Sequence, residues 1–153
     1  SRLGMKCVSL RLANLYGPGD NFEPHTSHMV AALVKRFADK ENPMTIWGSP
    51  ETSRDLLYIR DAASAMIHAG EKRLTGAYNV MGSKATVSGL VTALSEISSH
   101  KPKVKWDKTK PQTALKRHMN GKTFRVAGWE AEFDLWNGLE TTLRWYEKNR
   151  DRH

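Results

Sequence analysis

Cys7-Val8-Ser9-Leu10-Arg11-Leu12-Ala13-Asn14-Leu15-Tyr16-Gly17-Pro18-Gly19-Asp20-Asn21 runs from a short apolar stretch into a dense cluster of turn formers. Residues 7–12 are β-compatible and predict a buried strand, with Cys7 as a small residue inside it. Gly17 to Asn21 predict a loop over residues 14–26. Beyond it, Ser27 is a plausible N-cap, and Met29, Val30, Leu33, Val34 and Phe37 follow at helical spacing. Residues 44–47 read as a short strand closed by Gly48-Ser49-Pro50, and residues 55–59 as another apolar stretch. Asp61 could cap a helix carrying Ala62, Ala65, Met66 and Ala69. A strand is predicted at 77–80, an amphipathic helix at 86–97, a strand at 104–106 and a last helix at 135–146. This alternation indicates an α/β or α+β domain over residues 1–153. A buried-type strand expects neighbours and covering helices, and none precedes this one. The expectation is a fragment whose partner strands belong to a missing preceding half.

The chain has 153 residues, 26% of them charged and 39% hydrophobic, which is ordinary globular composition. One cysteine cannot form an internal disulfide, so a reducing, cytoplasmic setting is expected. No apolar run approaches the ~18 residues that span a bilayer. The net charge of +8 calls for an anionic partner. Its lysines and arginines are scattered, with mild concentrations at 101–110 and 116–125, and no nucleic-acid module accompanies them. Nucleic acid is therefore not the expected partner. No CxxC, HExxH or P-loop supports metal or nucleoside-triphosphate chemistry.

Leu10-Arg11-Leu12-Ala13-Asn14-Leu15-Tyr16-Gly17-Pro18-Gly19-Asp20 resembles the opening of the substrate domain in the NAD-dependent epimerase/dehydratase family, the extended short-chain dehydrogenases/reductases. The continuation from Asn21 to Val30 is similar to that of the GDP-L-fucose synthase subgroup. Ile46-Trp47-Gly48-Ser49-Pro50, Arg54-Asp55-Leu56-Leu57-Tyr58-Ile59-Arg60-Asp61, Tyr78-Asn79-Val80 and Gly128-Trp129 follow in the family's order. The resemblance implies an incomplete Rossmann sheet plus a small mixed α/β substrate domain. It also implies a nucleotide-diphosphate sugar as ligand and NAD(P) as cofactor of the full-length family. The family's glycine-rich fingerprint and Tyr-x-x-x-Lys pair do not occur here: no tyrosine is followed by lysine four positions on. No cofactor is therefore expected to bind this chain alone, and the chain alone is not expected to turn over.

The resemblance carries roles to particular residues. His28 falls where fucose synthases place an acid/base histidine, and imidazole suits proton exchange beside a sugar carbonyl. The alternative is a structural histidine at a helix start. Cys7 lies in a different segment from the family's partner cysteine and takes no such role. Asn14 falls at the floor of the site, near nicotinamide and sugar; turn chemistry explains it equally well. Arg36, with Lys35 beside it, and Arg54 match the phosphate-binding positions, and Arg's planar fork suits phosphate oxygens. Trp47 either lines the pocket or fills the core, with core the stronger expectation. Lys110 and Lys116 lie in the loop that closes over the nucleotide. That loop departs from the family pattern: Lys110-Pro111-Gln112-Thr113-Ala114-Leu115-Lys116-Arg117 lacks the Asp-Gly and the second Pro, and Asn120 replaces an Asp. Two functions stay open: the substrate half of a sugar epimerase, reductase or dehydratase, or a catalytically dead binding or assembly module. Strand edges left bare predict a homodimer.

Overall fold

The computed structural model describes residues 4–109 and 115–150. The strand at the start is β1 (Val8–Leu12), and it pairs in parallel with β5 (Gly76–Val80). Between them the chain passes through helix α2 (Ile59–Glu71), which packs against β1. The expected buried strand is corrected here. Val8, Leu10 and Leu12 are half-buried, while Ser9, Arg11 and Cys7 are exposed. The cause is the alternation V-S-L-R-L: a strand sends successive side chains to opposite faces, and only the apolar face meets a helix.

The expected loop at 14–26 also holds a strand, β2 (Asn14–Tyr16). It pairs in parallel with β4 (Ser53–Tyr58), whose other edge carries β6 (Lys84–Thr86) antiparallel. The two-residue β8 (Lys116–Arg117) also pairs with β4, at Ser53 and Arg54. Since β6 holds the opposite edge at those residues, β8 and β2 follow one another along a single edge. A third parallel pair joins β3 (Met44–Trp47) to β7 (Val104–Asp107).

Helix α1 (Met29–Ala38) buries Val30, Leu33, Val34 and Phe37 against α3 (Val87–Ile97) and α5 (Leu135–Asn149). Its N-cap is His28, not Ser27, and no side chain caps it. Ser27 Oγ is buried without a partner among the described residues. Thr86 caps α3 by accepting from Gly89 N–H, and Asp134 caps α5 by accepting from Asn137 N–H. Asp61 is no cap either. It lies inside the first turn of α2, only 2% exposed, and its carboxylate accepts from the backbone N–H of Glu132 and Phe133. Met66 on the same helix is exposed. The short α4 (Lys122–Val126) seats Phe124 under β5.

Two apolar clusters result. One gathers α1, α3, α5 and the inner residues of β3 and β4; the other places Leu57, Val80, Phe124 and Trp129 around α2. The sheet holding β4 separates them, since Leu56 belongs to the first and Leu57 to the second.

Candidate functional site

A cleft of about 680 Å³ opens along α1, β3 and β4. Three residues spaced by four, His28, Ala32 and Arg36, put one stripe of α1 along its wall. On β3, Met44 and Ile46 point into the core, which turns Thr45 and Trp47 outward to the cleft. Gly48, at φ +92°, carries the chain out of the strand in a conformation that favours glycine. Arg54 and Leu56 alternate on the cleft face of β4 with Thr52 just ahead of it, Arg117 adds to them from β8, and Asn14 closes one end from β2.

The wall carries three arginines and, among the described lining residues, no carboxylate. Arg36 is already engaged. Its Nε and Nη2 donate to the two carboxylate oxygens of Glu41 at 2.6 Å, and Nη2 also donates to the Thr45 carbonyl at 2.8 Å. That hydrogen bonding holds the Glu41 carboxyl below the usual carboxylate range, against a smaller opposing effect of burial. Arg54 Nη1 donates to its neighbour's carbonyl, Ser53 O, at 2.7 Å. Arg54 and Arg117 are direct register partners across the β4–β8 pair. Like charges facing one another across strands repel, and an anion between them offsets that repulsion.

The expected site residues divide as follows. Asn14, His28, Arg36, Trp47 and Arg54 all line this cleft. The core expectation for Trp47 is corrected: it is 69% exposed, because β3 alternates and the odd positions face outward. Lys35 does not line the cleft. It sits one helical step round from Arg36, donating to Tyr146 OH at 2.9 Å and to Asp39 at 3.0 Å, and these bonds raise its pKa. Lys116 is exposed on β8 and its neighbour Arg117 enters the cleft instead, again by strand alternation. Lys110 lies outside the described residues. Asn14 donates from Nδ2 to the Asp55 carbonyl at 2.8 Å, so its amide ties β2 to β4. Sequence reading missed Arg117 and Thr45. The first was visible as a charge run, but its facing depends on pairing with a strand some sixty residues away.

A second depression of about 420 Å³ lies at β5, α4 and the start of α5. Its lining holds Glu130, Glu132 and Asp134 against a single arginine, Arg125, the wrong balance for a diphosphate. Among the described residues no group of three or more His, Cys, Asp or Glu could hold a metal ion, and no helix is long and apolar enough to cross a membrane.

Residues 1–81 match the NAD dependent epimerase/dehydratase family. The chain belongs to that family. Among its curated relatives are a probable GDP-L-fucose synthase of Oryza sativa, 31% identical over 95% of this chain, and the GDP-L-fucose synthase of Escherichia coli, 31% identical over 94%. The chain spans about half the length of these relatives, 46% and 50% respectively. A UDP-glucose 4-epimerase of Thermotoga maritima, solved with UDP-glucose, superposes with a TM-score of 0.77 at 26% identity, covering 96% of this chain and 48% of that one. The corresponding enzyme of Thermus thermophilus, solved with NAD, gives 0.77 at 26% identity over 94% and 47%. The family uses a dinucleotide cofactor. Among the described residues no glycine-rich turn leads a strand directly into a helix: after Gly17-Pro18-Gly19 a loop runs on to His28 before α1 begins. The described residues therefore do not build the pyrophosphate cradle such a cofactor needs.

Proposed function

We propose that this chain is the nucleotide-sugar-binding half of an NAD(P)-dependent sugar epimerase/reductase of the GDP-L-fucose synthase type. The observation that carries the reading is the pairing of Arg54 with Arg117 on the wall of a cleft that also receives Arg36 and has no carboxylate among its described lining residues. A diphosphate placed between them supplies the charge that offsets their repulsion, and guanidinium forks match its oxygens. Trp47, exposed beside them, offers an apolar face to base or sugar. His28 stands on the same wall as the acid/base for epimerisation, and Asn14 stands at the end nearest the nicotinamide. Lys35 and Lys116 serve as flanking cations, and Lys110 belongs to the same basic loop.

The catalytic cycle, isomerase and oxidoreductase steps together, belongs on this reading to the longer protein, in which a cofactor half supplies the NAD(P) site. The chain by itself binds sugar nucleotide without turning it over, in a reducing, cytoplasmic setting. Calorimetric titration with GDP, GDP-sugars and UDP-sugars at low salt tests this. Saturable heat with GDP ligands is expected, and silence at millimolar ligand sinks the reading. NADPH fluorescence should stay unchanged on mixing; enhancement saturating in the micromolar range would reverse the cofactor half of the proposal.

The open edge of β1, which pairs only with β5 among the described residues, favours a second reading. There the chain is a catalytically dead binding or assembly module, and a second copy or a separate cofactor half covers that edge.

A further inference from the structure

We propose that Asp55 and His118 form a latch on the reverse face of the sheet that positions Arg117 in the cleft, an inference that rests on the nucleotide reading above. Strand β8 is only two residues long and exposed, and just ahead of it Leu115 O accepts from Ser53 N–H at 2.7 Å. So short a strand does not hold a register by itself. On its cleft side it also faces Arg54 with Arg117, a like-charge pair. A further tie is needed to hold the register.

The reverse face supplies it. Alternation sends Arg54 and Leu56 into the cleft and turns Asp55 the other way; on the β8 side it sends Arg117 inward and His118 to the back. Asp55 is 2% exposed. Its Oδ1 lies 3.0 Å from His118 Nδ1, and its Oδ2 accepts the Met119 backbone N–H. An ionised carboxylate only accepts, so His118 Nδ1 carries the proton between them. A buried carboxylate is costly unless hydrogen-bonded, and both side-chain bonds that satisfy this one come from residues 118 and 119. The same residue's carbonyl receives Asn14 Nδ2 at 2.8 Å. Asp55 thus fixes both elements on that edge of β4, the end of β2 and the strap that carries Arg117. His118 acts through Arg117 and is a positioning residue.

His118→Leu removes the donor and keeps the bulk; His118→Asn returns an N–H near the place of Nδ1. Leu leaves the buried Asp55 short of one donor and should lower the melting temperature, Asn should recover part of it, and both assays are run well below the lower melting point. With Leu, amide exchange at Met119 should quicken, and affinity for GDP should fall about fivefold to tenfold, the loss of one fixed charge-assisted contact. Asn should restore both. Unchanged exchange at Met119 in the Leu variant overturns the latch. Faster exchange with wild-type GDP affinity overturns the positioning role, as does failure of Asn to rescue affinity when it rescues exchange. A wild-type chain silent to GDP sinks the nucleotide reading instead, and exchange in the same samples still decides whether the latch exists.

Discussion

Glu41 holds Arg36 through two hydrogen bonds of 2.6 Å, so an anion entering the cleft competes with a carboxylate already in place. Glu41→Gln leaves a neutral acceptor that holds Arg36 less tightly. GDP should then bind about threefold tighter by calorimetry, the direction expected when a charge-assisted pair becomes a neutral one. The same pair sets a pH dependence. Its folded carboxyl is held below the usual range, so its contribution to stability is present above the unfolded carboxylate pKa. That contribution disappears as pH falls through the lowered folded value. The side chain is 40% exposed and solvent screens the pair, which limits the contribution to about 1 kcal/mol or less. The melting difference between wild type and Glu41→Gln should therefore be small near neutrality and vanish in acid; a gap that widened in acid would contradict the sign. Lys35 and Arg36 also mark how far sequence alone reaches at this scale. Both read as phosphate candidates, yet one helical step of about 100° sends the first to Tyr146 and the second to the cleft. The i, i+4, i+8 spacing from His28 through Ala32 to Arg36 is the signal that tells them apart once the cleft wall is known.

Elements built from their own sequence were legible; elements built by partners were not. Helices α1, α3 and α5 carry their apolar stripe locally, and β3, β5 and β7 are short β-rich runs between breakers. By contrast β2, β6 and β8 are three, three and two residues long, and each exists because β4 offers it an edge from far along the chain. Propensity in two or three residues carries no such information. Gly138 shows the same conflict inside one helix. It lies in α5, where alanine would gain about 1 kcal/mol of helix propensity. A Cβ there would stand 2.2 Å from Tyr16 OH and 3.0 Å from its Cζ. Tyr16 is 3% exposed and packs on Tyr58 with ring centroids 5.6 Å apart, so it has little room to retreat. Overpacking of this kind costs about 1–3 kcal/mol and should exceed the gain. Gly138→Ala is expected to lower the denaturant midpoint without changing the slope; a rise in midpoint would mean that Tyr16 yields freely.

At the scale of the whole molecule the two ends of the sheet system differ. The sheet around β4 has elements on both edges and apolar clusters on both faces. The β1–β5 pair has two strands, one helix-covered face, and an opposite face carrying Ser9, Arg11 and Ala77, all exposed. Two-stranded sheets are marginal in water, and an unpaired edge is a template for another strand. Apolar side chains on β1 are half-buried, and each ~100 Å² left wet forfeits about 2.5 kcal/mol. In the longer relatives there is further chain to occupy such an edge. For this chain on its own, the edge should be covered by a second copy, most simply about a twofold axis, or the strand should fray. Sedimentation velocity from low to high micromolar concentration separates these outcomes when paired with hydrogen exchange at residues 8–12. A dimer with slow exchange supports self-covering, and a monomer with fast exchange supports fraying. A clean monomer at high concentration whose β1 amides still exchange slowly would overturn both, because β5 and α2 would then suffice to hold the strand with its outer edge bare.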